Sequence, residues 1–248
     1  MRNAQENELR RLLATRYTAA LESAETEGLI DALRQSPQLS GIFLPDVFTD
    51  QVSAPLRVML IGKETNGWLK GDKRCGNLQA GDLQAYVQHS MQEWRRIADI
   101  PAGKSKFGQF RQKLDLMLSR QADHPVRHHW ANLFCIDHAQ RSPVGSDHFT
   151  QIQSLSQRLL KIQLDVLCPD VLLFTTGAGS TRYDKHINEM LTVTDSSFGT
   201  DQHIQGQLWT FRADGVAAYR TAHPRWGLGQ TGREAALARI LATEMEPT

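Results

Sequence analysis

Between residues 5 and 34, apolar side chains recur at Leu9, Leu12, Leu13, Tyr17, Leu21, Leu29, Ile30 and Leu33, with charged residues between them. That spacing predicts one or two amphipathic helices, stopped by Ser36-Pro37. The same period predicts helices over 82–99 (Leu83, Tyr86, Val87, Met91, Trp94, Ile97), 106–119 (Phe107, Phe110, Leu114, Met117, Leu118) and 147–164 (Phe149, Ile152, Leu155, Leu159, Ile162). It also predicts a short helix over 180–191 and a closing one over 231–245. Short runs without helical period lie between: Arg57–Ile61, Trp130–Ile136, Val171–Phe174, Gln207–Phe211 after a turn at Gly206, and Val216–Thr221. Apolar runs of this length bounded by Pro and Gly predict strands, those at 57–61 and 171–174 buried on both faces. Strands separated by helices predict an α/β fold: a mainly parallel central sheet with helices on both faces, a three-layer α/β/α sandwich. No repeat, low-complexity tract or linker interrupts the chain, so a single domain over 1–248 is expected.

Composition narrows the partners. Forty per cent of the 248 residues are hydrophobic and 22% charged, the balance of a globular protein rather than a disordered or fibrous one. Lys and Arg number 28 against 27 Asp and Glu, a formal net charge of +1. Any polyanion site must therefore be a local basic patch. Cys75, Cys135 and Cys168 are far apart with no CxxC pair, which argues against structural zinc or a four-cysteine cluster. Sparse thiols suit a reducing compartment. The first residues lack a signal-peptide pattern and no apolar run reaches about 20 residues, so a cytoplasmic protein without a membrane span is expected.

In open α/β sheets ligands gather at the carboxyl ends of strands. Four such ends carry polar residues: Gly62-Lys63-Glu64-Thr65-Asn66-Gly67-Trp68; Asn132, with Asp137-His138 farther on; Thr175-Thr176-Gly177-Ala178-Gly179-Ser180; and His223-Pro224-Arg225-Trp226. Two common phosphate motifs fail here. GxxxxGK[ST] needs Gly where Arg57 stands and Ser or Thr where Glu64 stands, and GxGxxG needs Gly where Arg182 stands. His124, His128, His129 and His138 do not form a metal-binding spacing: His128 and His129 point to opposite faces of a strand, with no carboxylate at zinc-helix spacing.

Taken in order, these pieces resemble the uracil-DNA glycosylase superfamily. There a strand ends in a Gly-Gln-Asp-Pro-Tyr-like motif, a later strand carries an Asn, and a C-terminal strand leads into His-Pro-Ser. The matching pieces are Gly62-Lys63-Glu64-Thr65-Asn66, Asn132 within Trp130–Phe134, and His223-Pro224-Arg225. Order and rough spacing agree from about residue 57 to 241. Residues 1–50 have no counterpart and are expected as a helical extension on a core of 51–248.

The resemblance implies a DNA glycosylase that extrudes a base and needs no metal or cofactor. Glu64, in place of the family's Asp, would orient water and offset charge on the sugar. His223 would stabilise the departing base, and Asn132 would read the base's pairing edge. Asn66 and Phe107 are expected to line the base pocket. Lys63, Thr176, Gly177, Arg225 and Trp226 are expected on the DNA, with Trp226 or Leu228 as wedge. Further phosphate contacts are expected from Lys70, Lys73, Arg74, Arg182, Arg220 and Arg233, while Lys104 and Lys106 read as solvated charges. Thr65 in place of Pro is expected to loosen its turn, and Arg225 in place of Ser to make a charged phosphate contact. Asn66 stands where the uracil-specific branch has a Tyr, so the pocket is expected to admit a C5-modified pyrimidine such as the bulky cytosines of phage DNA, in a monomer acting in phage defence. Each residue also has a plainer role: Glu64 at a helix N-terminus, Asn132 satisfying backbone, His223 and Asn66-Gly67 in turns. The rival functions are a non-catalytic nucleic-acid-binding module and a nucleoside hydrolase.

Overall fold

The computed structural model describes residues 2–177, 181–198 and 207–242. The helices are α1 (Arg2–Thr26), α2 (Leu29–Gln35), α3 (Thr49–Val52), α4 (Gly76–Gln79), α5 (Leu83–Asp99), α6 (Lys106–Ser119), α7 (Phe149–Leu167), α8 (Thr181–Met190) and α9 (Gln230–Ala242). The strands are β1 (Val58–Gly62), β2 (His129–Asn132), β3 (Val171–Phe174), β4 (Val193–Phe198), β5 (Leu208–Ala213) and β6 (Val216–Thr221). The fold is mixed α/β. It divides into two compact units, each built from three chain segments: Met1–Val47, Lys63–Ile100 and Asn132–Cys168 in the first, the remainder in the second.

The first unit is helical. Leu13, Tyr17 and Leu21 on α1 are fully buried, and α1 lies along both α7 and α5. The Asp82 carboxylate caps α5 by accepting from the Ala85 N–H at 2.9 Å, and Leu83, Tyr86, Val87, Met91 and Trp94 form its buried stripe. Helix α7 stops at Cys168, which takes a left-handed conformation at φ 43° directly before Pro169.

The second unit holds the sheet, in the order β2-β1-β3-β6-β5-β4. β1, β3 and β6 run parallel, Leu60 opposite Leu173 and Leu173 opposite Tyr219. Every residue of β1 and β3 is buried, as their uninterrupted apolar runs require. On one face Val58, Leu60, Val171, Leu173 and Leu208 pack with Phe110, Leu114 and Leu118 of α6 and with Ala236, Leu237 and Ile240 of α9.

The sheet departs from expectation at its margins. β5 and β6 form an antiparallel hairpin whose turn is Asp214-Gly215, both at positive φ, the geometry an Asp-Gly pair adopts. β4 joins antiparallel to β5 with a register shift between Thr194 and Ser197. The strand expected over Trp130–Ile136 ends at Asn132. Residues Leu133–Ile136 stay buried, with their backbone bonded to loops instead, as in Phe43 N–H to Cys135 O at 2.8 Å. Ala178, Gly179, Ser180 and Gly206 lie outside the described residues. Among the described residues, no helix is long and apolar enough to cross a membrane.

Candidate functional site

In the second unit the carboxyl ends of β1, β3 and β6 lie side by side. Thr175 N–H, just past β3, bonds Ile61 O of β1 at 2.9 Å, and Gly177 N–H bonds Thr221 O of β6 at 3.0 Å. Glu64 follows the end of β1 by two residues, and His223 follows the end of β6 by two.

The first unit contains Lys63, Glu64, Asn66 and Asn132. Phe134 N–H donates to Lys63 O at 2.8 Å, so the chain leaving β2 runs beside the Lys63–Trp68 loop. Glu64 and Lys63 are half-buried and Asn66 is exposed. The expectation that Thr65 loosens this loop is corrected. Its hydroxyl is buried and donates to Asp137 Oδ2 at 2.6 Å, and Gly67 N–H donates to the same oxygen at 2.6 Å. The other oxygen of Asp137 accepts from Gln140 N–H at 2.9 Å, and Asp137 N–H donates to Ser40 Oγ at 2.9 Å. Gly67 sits at φ 80°, a conformation glycine adopts without penalty. Asp137 was not expected to have this role. Its signal in the sequence is an acid ending the apolar run Leu133–Ile136.

Asn132 is 7% exposed. Its Nδ2 is buried and has no hydrogen-bond partner among the described residues. A buried amide donor left unmet costs about 1–3 kcal/mol, so an acceptor brought to Asn132 Nδ2 by a ligand would be favoured.

The second unit contains the remaining candidates. His223 opens a tight turn closed by Trp226 N–H to His223 O at 2.9 Å. Its Nδ1 accepts from Arg225 N–H at 3.2 Å, so in the neutral ring the proton resides on Nε2. The Phe107 ring lies nearly parallel to the imidazole, 13° between planes and 5.9 Å between centroids. It also meets Trp130 at 5.9 Å. Phe107, expected as a platform for the base, is therefore packed against His223 itself. Behind it, Arg111 lies over the Trp130 ring at 4.4 Å, and burial pushes its guanidinium down to about 10. Arg225 is exposed, and Trp226 is 65% exposed, unusual for so large an apolar side chain.

Several other expected phosphate contacts have internal partners, while Lys73 is exposed. Thr176 is fully buried and its hydroxyl accepts from Arg220 Nε at 2.9 Å. Arg220 is fully buried and ion-paired with Asp184. Burial draws the Arg220 guanidinium down and, outweighing the attraction of Arg220, lifts the Asp184 carboxyl. Thr176 and Arg220 are therefore turned inward and do not reach solvent. Arg233 braces the His223 turn, with Nη1 donating to Trp226 O at 3.0 Å and to His223 O at 3.4 Å. In the first unit, Arg74 Nη1 donates to Ser36 O at 2.5 Å, and Lys70 Nζ donates to Gln140 Oε1 at 2.9 Å. Gly177 is half-buried at φ 99°. The side chains of Arg182 and Leu228 lie outside the description.

Of His124, His128, His129 and His138, the middle two are buried, and His124 and His138 are half-buried. His128 Nδ1 lies 2.6 Å from Asp115 Oδ1, and its Nε2 accepts from Arg111 Nε at 3.3 Å. His129 is buried, and burial pushes its imidazole down to about 3. Among the described residues no three His, Cys, Asp or Glu side chains are grouped to hold a metal ion. Compared with models of protein families and with curated proteins, the chain matches none.

Proposed function

We propose that the chain is a DNA glycosylase with the three-layer α/β/α architecture of the uracil-DNA glycosylase superfamily. It hydrolyses the N-glycosidic bond of an extruded pyrimidine, uracil or one substituted at C5, and leaves an abasic site. The observation that carries this reading is the unmet Nδ2 donor of Asn132. A base turned out of the stack offers an acceptor to such an amide, which removes the cost of burying it.

The chemistry follows from charge. As the C1′–N bond breaks, its electron pair goes to the base and positive charge gathers on the sugar. The Glu64 carboxylate offsets that charge, orients the water that bonds to C1′, and accepts the proton the water sheds. His223, protonated at Nε2 in its neutral form, donates to the base oxygen where negative charge collects. Arg225 and exposed Trp226 follow in the same turn, suited to a phosphate and to the gap left in the stack. Asn66 is small and exposed, so the reading extends to bulky C5-modified cytosines and to a cytoplasmic monomer acting against phage DNA.

The test is incubation with oligonucleotides carrying uracil, thymine and C5-modified cytosines, followed by mass spectrometry of released bases. Free base together with abasic sites supports the proposal. Retarded but intact DNA replaces it with a binding module, and base release from free nucleosides only replaces it with a nucleoside hydrolase.

A further inference from the structure

In the second unit, beside Pro224, a groove of about 200 Å³ opens between α6 and α9. Its lining includes the buried residues Phe110, Leu237 and Arg233 and the exposed residues Lys106, Lys113 and Glu234. Lys106 and Lys113 are seven residues apart on α6, with Gln109 between them on the same wall. At helical spacing this sets the two ammonium groups in one row roughly 10 Å long. Both lysines are exposed, and neither is ion-paired among the described residues. The lone carboxylate, Glu234, accepts from Gln230 Nε2 at 2.9 Å along its own helix.

Two further features favour an anion. Lys106 is the first residue of the 14-residue α6, which has no acid in its first turn, so the helix dipole adds to the lysine charge. Arg233, 9% exposed, adds a third cation. Its Nη1 is held by the carbonyls of Ala222, His223 and Trp226, which ties the groove wall to the turn carrying His223. In a chain of net charge +1, three cations around one groove are a concentrated feature.

We propose that this groove binds neighbouring backbone phosphates of a nucleic-acid strand, with Lys106 and Lys113 as their counter-charges. The inference rests on the nucleic-acid reading above but not on base release. Sequence pattern assigns Lys106 to solvent, and it is exposed; the groove it lines, between α6 and α9, is not visible in that pattern.

The test is Lys106→Gln/Lys113→Gln, alone and combined, measured by fluorescence anisotropy with labelled single-stranded and duplex oligonucleotides over a salt series. Both lysines are exposed, so the wild-type unfolding midpoint is expected to persist. Each lost contact should flatten the slope of log K against log salt by about 0.9 on duplex DNA, or about 0.7 on a single strand. In parallel, inorganic phosphate is titrated into 15N-labelled protein, with amide shifts expected at Lys106, Phe107 and Gly108 in the wild type and not in the double variant. Unchanged affinity and slope in the double variant overturn the proposal. Phosphate shifts without any DNA binding overturn its assignment to a nucleic-acid strand. Loss of DNA affinity in the double variant of a protein that releases no base upholds the groove and removes the glycosylase reading instead.

Discussion

Thr65 donates its hydroxyl hydrogen bond to Asp137 across 2.6 Å, and the same carboxylate oxygen takes the N–H of Gly67 two residues on. Both ends of the turn that presents Asn66 are thus fixed to one buried acid. Thr65→Val removes a donor from a buried carboxylate and should cost about 1–3 kcal/mol. Thr65→Ser should restore most of it. Chemical denaturation of the three proteins checks this, and equal stability of Val and wild type would remove the hydroxyl from the account.

Glu64→Gln should abolish most turnover while leaving DNA affinity close to wild type. The amide can hold water but cannot offset charge that appears only in the transition state. Single-turnover rates and binding constants measured on one oligonucleotide separate the two effects. Turnover at the wild-type rate in the variant assigns Glu64 to structure.

Asn66→Tyr should suppress release of a C5-modified pyrimidine more than release of uracil. Exclusion of a substituent requires bulk in its path, since a pocket discriminates poorly against a group it has room for. Matched oligonucleotides in competition give the ratio directly. A wild-type preference for uracil, or an equal loss for all bases, makes Asn66 a turn residue only.

His129 links stability to acid. Its folded value is about 3 against an ordinary 6.5, with burial the larger cause and the neighbouring His128 the smaller. The folded state therefore binds fewer protons than the unfolded state between those values. The stability from the buried neutral ring is complete above pH 6.5 and is lost as pH falls towards 3, by up to about 1.4 kcal/mol per pH unit. His129→Phe should unfold at lower pH than wild type in an acid titration followed by circular dichroism, and an unmoved midpoint would assign acid unfolding to other groups.

Strands buried on both faces were legible in the sequence because an unbroken apolar run leaves few alternatives, as at Val58–Ile61 and Val171–Phe174. β4 was not. Its sequence Val-Thr-Asp-Ser-Ser-Phe is mostly exposed along its described side chains, and Asp195 breaks its pattern at φ 50°. An edge strand gains its order from its neighbour, not from its own apolar content. Among candidate residues, strand ends marked Glu64, Asn132 and His223, since position after a strand is a local property. The burial of Thr176 and Arg220, the anchoring by Asp137 and the packing of Phe107 on His223 depend on partners distant in sequence, and local pattern carries no record of them.

The interleaving of the two units also orders events on the ribosome. All segments of the helical unit have been made once Cys168 is added. β1 is synthesised roughly a hundred residues before β3, its parallel neighbour. During that interval the β3-side edge of β1 has no native strand to pair with, and such an edge can template pairing with another chain. The sheet unit is completed only when α9 arrives to close the face formed by Leu60, Leu173 and Leu208. Slow decoding between residues 62 and 171 would therefore raise misassembly without altering a single amino acid of the finished protein.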